Sequence, residues 1–326
     1  MSARRISIAV LLACALLAGC GGDDSSSGDQ PPPAAKAEDF PKPGGKSLAE
    51  LLKQVGGSGP VLAPSGLEFR TGTDRLGFAL FTRSREQITD ASVAVYAAPV
   101  GGGPAEGPYL ARFESLSVKP QFESRQTASD PDSAKSIYTA EIPFDKPGKY
   151  ELLGIARLGG KLVPATTPMG GIEVKETSGD PIPAVGTRPP RIHTPTVAEV
   201  GGDVASIDTR LPPSSMHDVN FADVLGKKPV VLVFATPQLC QSRVCGPVVD
   251  VAEQVKASSG DDVAFIHMEV YRENRIDKGI RPQMAAFHLQ SEPWLFVFDR
   301  SGKVSTRIEG AFSERELQQA ISKVTG

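Results

Sequence analysis

The stretch that most constrains this chain is PVVLVFAT at 229–236, followed after three residues by Cys240 and then by Cys245. An unbroken apolar, β-branched run reads as a strand buried on both faces. Such a strand needs a layer above it and a layer below it, which a purely helical chain or a one-sided sheet cannot supply. A second run of this kind, DVAFIHMEV at 262–270, follows VVDVAEQVK at 248–256, whose spacing is helical. Residues 282–289 read as helix. Residues 294–298 and 303–308 read as two strands joined by the turn Asp299-Arg300-Ser301-Gly302. The closing helix is 313–323, with Ser313 as N-cap and Glu316 completing a capping box. A short helix at 221–225, capped by Asn220, precedes the first strand. From that strand onward the order is β-α-β-α-β-β-α, an α/β domain over 197–326.

The N-terminus is patterned for export. Arg4 and Arg5 precede an apolar run at 6–17 that is too short to span a bilayer comfortably. The run ends in Leu17-Ala18-Gly19-Cys20, which resembles the bacterial lipobox. The resemblance implies that 1–19 is a signal peptide and that Cys20 takes a diacylglycerol. Such a group holds a protein to the extracytoplasmic face of a membrane. An ordinary secretory signal with a coincidental cysteine is the alternative. Residues 20–46 are rich in Gly, Asp, Ser, Pro and Ala, with Phe40 the one large apolar side chain, and read as a disordered tether. SLAELLKQV at 47–55 is expected to be a short amphipathic helix with Ser47 as N-cap and Glu50 as capping-box partner, leading through a linker to residue 60.

The middle of the chain, 61–175, has β patterning. Strands are expected at 76–82, 92–97, 136–142, 148–156 and 171–174, separated by turn signals such as Gly101-Gly102-Gly103-Pro104 and Lys146-Pro147-Gly148. Residues 144–150, FDKPGKY, resemble the last hairpin region of immunoglobulin-like sandwiches. The resemblance and the strand spacing together imply an all-β, immunoglobulin-like sandwich of roughly seven strands. This segment contains neither His nor Cys, so it reads as a spacer or a binding module. Residues 176–196 are proline-rich and read as an extended linker carrying a solvated His193.

Four cysteines occur: Cys14 in the export segment, Cys20 at its end, and the pair Cys240 and Cys245. A close pair in an oxidising compartment is a candidate disulfide. Five steps along an α-helix climb about 7.5 Å, beyond the reach of a disulfide, so 241–244 must fold back as a loop. Pro247 suits position N1 of the following helix, which would set Cys245 beside exposed N–H groups that favour thiolate. Arg243 would add to this. Cys245 then reads as the better thiolate and Cys240 as the more peripheral thiol.

The element order and the cysteine pair directly after the first buried strand resemble the thioredoxin fold over 197–326. Ser291-Glu292-Pro293-Trp294 stands where that family has its cis-proline loop. The resemblance implies that Pro293 is cis and that Glu292 offers its backbone beside the cysteines to dock substrate. Two departures stand out. Four residues separate the thiols, with no Trp before either. No acidic residue occurs within 230–235, where thioredoxins keep a buried Asp.

The expected activity is thiol–disulfide exchange with the thiols or disulfides of envelope proteins, carried by Cys240 and Cys245 without a cofactor. One alternative is a non-catalytic binding lipoprotein with a structural Cys240–Cys245 staple. A second is copper delivery, since Sco-type chaperones share this fold and pair cysteines with a distant histidine. His288, just before the Pro293 loop, is the weak candidate ligand. His267 reads as packed in a strand, and Met216-His217 is another possible ligand source. A net charge of -3 and only short Arg clusters, such as Arg188 and Arg191, argue against nucleic acid.

Overall fold

A computed structural model of the protein describes residues 31–326, apart from 168 and 169. The export segment, Cys14, Cys20 and the first part of the expected tether lie outside the described residues. Among those described, no helix is long and apolar enough to cross a membrane.

The expected tether is ordered over its second half. Residues 33–46 run along the β-structure that follows. Ser92 Oγ donates to the Pro33 carbonyl at 2.7 Å and Tyr96 to the Pro41 carbonyl at 2.7 Å. Phe40 is buried. That burial offsets the ordering entropy that the polar composition alone could not. Helix α1 (Leu48–Val55) follows, and the Ser47–Glu50 capping box forms as expected.

Ten strands then share one sheet: β1 (Val61–Pro64), β2 (Phe69–Arg70), β3 (Gly72–Phe81), β4 (Gln87–Ile88), β5 (Ser92–Pro99), β6 (Glu106–Ser115), β7 (Ser136–Phe144), β8 (Gly148–Leu158), β9 (Lys161–Thr166) and β10 (Ile172–Lys175). Seven of them pair around a ring, β8-β5-β6-β7-β3-β1-β9 and back to β8. This corrects the expected two-sheet, immunoglobulin-like sandwich: the domain is all-β, but its sheet closes into a barrel. Closure leaves the ring strands without free edges. The closing strand β9 carries Pro164 and a mixed pattern, and no strand was expected there. On β5, Val93, Val95 and Ala97 fill the barrel, while Ala94, Tyr96 and Ala98 lie under α1 and the 33–46 segment. Both faces are therefore covered, which is why SVAVYAA is apolar throughout.

The C-terminal half contains α3 (Phe221–Val224), β11 (Val230–Phe234), α4 (Cys245–Ser259), β12 (Ala264–Met268), α5 (Pro282–Ala286), β13 (Trp294–Phe298), β14 (Val304–Glu309) and α6 (Glu314–Thr325). The barrel's α2 (Arg125–Ser129) lies in the β6–β7 connection. The sheet order is β12-β11-β13-β14, with β11 and β12 parallel and β13 antiparallel to both of its neighbours. Val231 and Val233 pack towards α4 and α6, and Val230, Leu232 and Phe234 towards α3 and α5. The two apolar faces of β11 thus meet two helical layers, as its unbroken sequence requires. This element order and sheet order agree with the thioredoxin-like fold expected over 197–326.

Residues 31–326 form one compact unit. The division at 176–196 separates two sheets but not two bodies. Those residues form no strand or helix and turn at 177–180 and 184–187, and Ile182 and Ile192 are buried in the α/β core. Asp180 accepts from Arg70 of the barrel and from Arg307 of β14. Leu116 and Ile137 of the barrel belong to the same apolar cluster as α4 and α6. Buried Asp250 on α4 accepts from Arg210 at 2.8 Å and from the Ser124 backbone N–H, before α2, at 3.0 Å.

Candidate redox site

The site lies at the end of β11, where the strand has run out of partners and the chain must turn. Residues 237–243 form successive turns, and Arg243 takes a left-handed backbone with φ 58°. This fold-back brings Cys240 and Cys245 into a disulfide with a Cα–Cα distance of 6.0 Å. Helix α4 starts at Cys245 itself, so Pro247 is its third residue rather than its first. A proline is tolerated there because the first-turn N–H groups have no helical acceptor. Gly246 faces Thr127 of α2 so closely that a Cβ would lie 2.9 Å from the threonine hydroxyl oxygen. The β6–β7 connection of the barrel therefore covers the start of α4. It also holds the cysteine loop, since Arg243 pairs with Asp130 and Asp132 and its carbonyl accepts from Ala134.

The two sulfurs are not equivalent. Cys245 is fully buried, whereas Cys240 is half-buried and its sulfur lies 3.2 Å from Ser242 Oγ. The sequence reading favoured Cys245 as thiolate on the strength of the helix N-terminus. The burial makes Cys240 the sulfur that an incoming group can reach. Pro293 follows a cis peptide bond from Glu292.

Glu292 contributes more than backbone. Its side chain turns under the disulfide, and the Glu292 Oε2 and both sulfurs lie within 4.8 Å of one another. Oε2 accepts from the Thr236 backbone N–H at 2.7 Å and stands 3.6 Å from Cys245 Sγ. A disulfide sulfur carries no proton, so this is a contact that can become a hydrogen bond once the bond is reduced. Burial, reinforced by nearby Glu269, pushes the Glu292 carboxyl up to about 7 against the Thr236 hydrogen bond. A carboxyl poised there can give or take a proton near neutral pH. No acid stands within 230–235, and the carboxyl beside Cys245 comes from the facing loop. Sequence reasoning missed this because it assigned that position to backbone docking.

Behind the site sits a buried polar cluster. Asp208 Oδ2 accepts from His217 Nε2 at 2.9 Å, lies 3.3 Å from His267 Nδ1, and accepts from the Ser214 N–H at 2.7 Å. His267 Nε2 donates to the Ala235 carbonyl at 2.9 Å. Burial opposes charge on His267, but Asp208 outweighs it and holds the imidazolium up to about 9. Burial and the neighbouring imidazolium depress His217. Asp208 is held far below the usual carboxylate range, burial being outweighed by the two histidines. Burial raises Glu269, whose Oε1 accepts from Thr209 while Oε2 has no partner. The signal for this cluster was present in FIHMEV: two ionisable side chains in a doubly buried strand must find partners.

His288, the candidate copper ligand, is exposed and does not join the donor atoms around the cysteines, where Glu292 stands instead.

No family model matches the chain, and no curated protein matches it. Among solved structures, a thioredoxin-like superfamily protein is similar at 21% identity and a TM-score of 0.28, over 34% of this chain and 88% of that one. A thiol:disulfide interchange protein DsbE from Chlorobium tepidum is similar at 15% identity and a TM-score of 0.30, over 44% of this chain and 99% of that one.

Proposed function

We propose that this chain is a lipid-anchored, extracytoplasmic thiol–disulfide oxidoreductase acting on envelope proteins. One observation carries the reading: a disulfide at the strand end of a thioredoxin-like sheet, with one reachable sulfur, one buried sulfur and a half-buried carboxyl against the latter. A partner thiolate attacks Cys240 Sγ, forming a mixed disulfide and breaking the Cys240–Cys245 bond. Cys245 leaves with the electron pair as thiolate and takes a proton from the Glu292 carboxyl. The partner's second thiolate then attacks its own sulfur in the mixed disulfide and releases Cys240 as thiolate. The partner is oxidised to a disulfide and this chain is reduced to a dithiol. Run in reverse, Glu292 takes the Cys245 proton and Cys245 resolves the mixed disulfide. The relative reduction potentials set the direction. The anchor part of the proposal rests on Leu17-Ala18-Gly19-Cys20 alone.

The test is trapping. The Cys245→Ser chain keeps Cys240 without a resolving thiol and should accumulate mixed disulfides with envelope proteins. The Cys240→Ser chain should accumulate none, because Cys245 is buried. If neither variant traps a partner and the wild-type bond resists dithiols in the folded protein, the pair is a structural staple and the reading is wrong.

A further inference from the structure

The mechanism above leaves the buried Asp208–His217–His267 cluster without a role. Burying three ionisable side chains so close to a redox bond is costly unless they are mutually satisfied. Their connection to the disulfide is specific. His267 Nε2 donates to the Ala235 carbonyl, and the next N–H, that of Thr236, donates to Glu292 Oε2. The Ala235 carbonyl and the Thr236 N–H are the two ends of one peptide unit. A continuous path of hydrogen bonds therefore runs from Asp208 through His267 and one amide to Glu292, which touches Cys245 Sγ.

We propose that the Asp208–His217–His267 cluster is a positioning device for the redox site, which governs through the Ala235–Thr236 peptide when Glu292 holds a proton. The inference rests on the thiol–disulfide reading. A cationic His267 polarises the Ala235 carbonyl and makes the Thr236 N–H a stronger donor, because hydrogen bonds in a chain reinforce one another. The stronger donor favours the Glu292 carboxylate, the form that removes the Cys245 proton. Asp208 keeps His267 charged, and His217 holds Asp208 in place through its Nε2. The same cation also acts on Glu292 through space. The other titratable groups facing these two are known. Glu269 adjoins both from just beyond β12, Tyr271 adjoins Glu292 from the following loop, and Arg281 adjoins Glu269. Glu253 of α4 faces His217. Glu269 acts in the opposite sense to His267 on Glu292, so His267 is the cation that keeps the carboxylate accessible near neutrality.

The test uses the full-length chain. The infrared carbonyl band of protonated Glu292, identified by its loss in Glu292→Gln, is titrated from pH 5 to 9. The reduction potential of the cysteine pair against glutathione is measured over the same range. In His267→Gln, which keeps a neutral side-chain N–H donor but removes the charge, the Glu292 midpoint should rise by roughly one unit. The break in the potential-versus-pH plot should rise with it. Asp208→Asn, which removes the counter-ion of His267, should move both in the same direction. A merely structural role would displace the potential equally at every pH and leave the Glu292 midpoint in place, and that result overturns the inference. If the variants fail to fold, the ring-nitrogen resonances of His267 in the wild-type protein decide. A protonated imidazole at pH 7 supports the proposal and a neutral one overturns it. A wild-type disulfide that exchanges with no thiol would defeat the oxidoreductase reading, while the Glu292 midpoint would still test the coupling.

Discussion

Asp250 ties α4 to the barrel, and its removal should cost a large share of the stability of what it joins. Its side chain is 0% exposed and that of Arg210 is 5% exposed, so the pair has almost no access to water. Oδ1 accepts from Arg210 Nε at 2.8 Å, and Oδ2 accepts from the Ser124 N–H at 3.0 Å and the Ser124 hydroxyl at 3.1 Å. In Asp250→Ala the guanidinium keeps the Pro212 and Phe122 carbonyls but loses its counter-charge. Breaking a buried ion pair in this way costs about 3–5 kcal/mol, and part of that is the orphaned Ser124 N–H. Set against a total stability of about 5–15 kcal/mol, the variant should lose a large share of it. Urea unfolding followed through the single, buried Trp294 measures the loss directly. The double variant Asp250→Leu, Arg210→Met removes both charges and should recover most of the stability, since an apolar pair of similar volume is often no worse than a buried ion pair. A loss below about 1 kcal/mol in the single variant, or a double variant as unstable as the single one, would refute the reasoning.

Glu292 holds its proton up to about 7 in the folded protein against an ordinary 4.5, so the folded state binds more protons in that window. Stability should therefore fall as pH rises from about 4.5 through 7, by roughly 3 kcal/mol at most, and Glu292→Gln should lose this slope and exceed the wild type at pH 8. His267, held up to about 9 against 6.5, adds a stabilisation that is complete below 6.5 and lost as pH rises through 9, so a slope at higher pH should survive in Glu292→Gln. Cys20→Ser should abolish lipid labelling and release the protein from membranes; a variant that stays lipid-labelled and membrane-bound would remove the anchor from the proposal.

Local chemistry made much of this protein readable in one dimension. The Ser47–Glu50 and Ser313–Glu316 capping boxes and the Asn220 cap form where the sequence places them, because they depend only on neighbours three residues apart. The β-α-β-α-β-β-α order followed from runs whose faces are both apolar. The fold-back of 241–244 followed from the reach of a disulfide, and the cis peptide at Pro293 from the likeness to a thioredoxin loop. What could not be read depends on contacts between distant residues. Closure of the barrel turns on one residue pair between β1 and β9, Val61 and Thr166, and on β9 also pairing with β8. A strand's own pattern is the same in a sandwich as in a barrel.

Read along the chain, the residues carry the elements of 197–326, five of the ten strands of the barrel sheet, the two-layered demand of β11 and the closeness of the two cysteines, since each is a property of a short segment and its polarity. Contacts between distant segments settle which sulfur is buried, that residues 33–46 and 176–196 are docked rather than free, and that the Glu292 carboxyl lies against Cys245. Burial and proton affinity belong to the surroundings of a side chain, and at Glu292 those surroundings come from Thr236, Cys245, Glu269 and His267, on three separate segments of the chain.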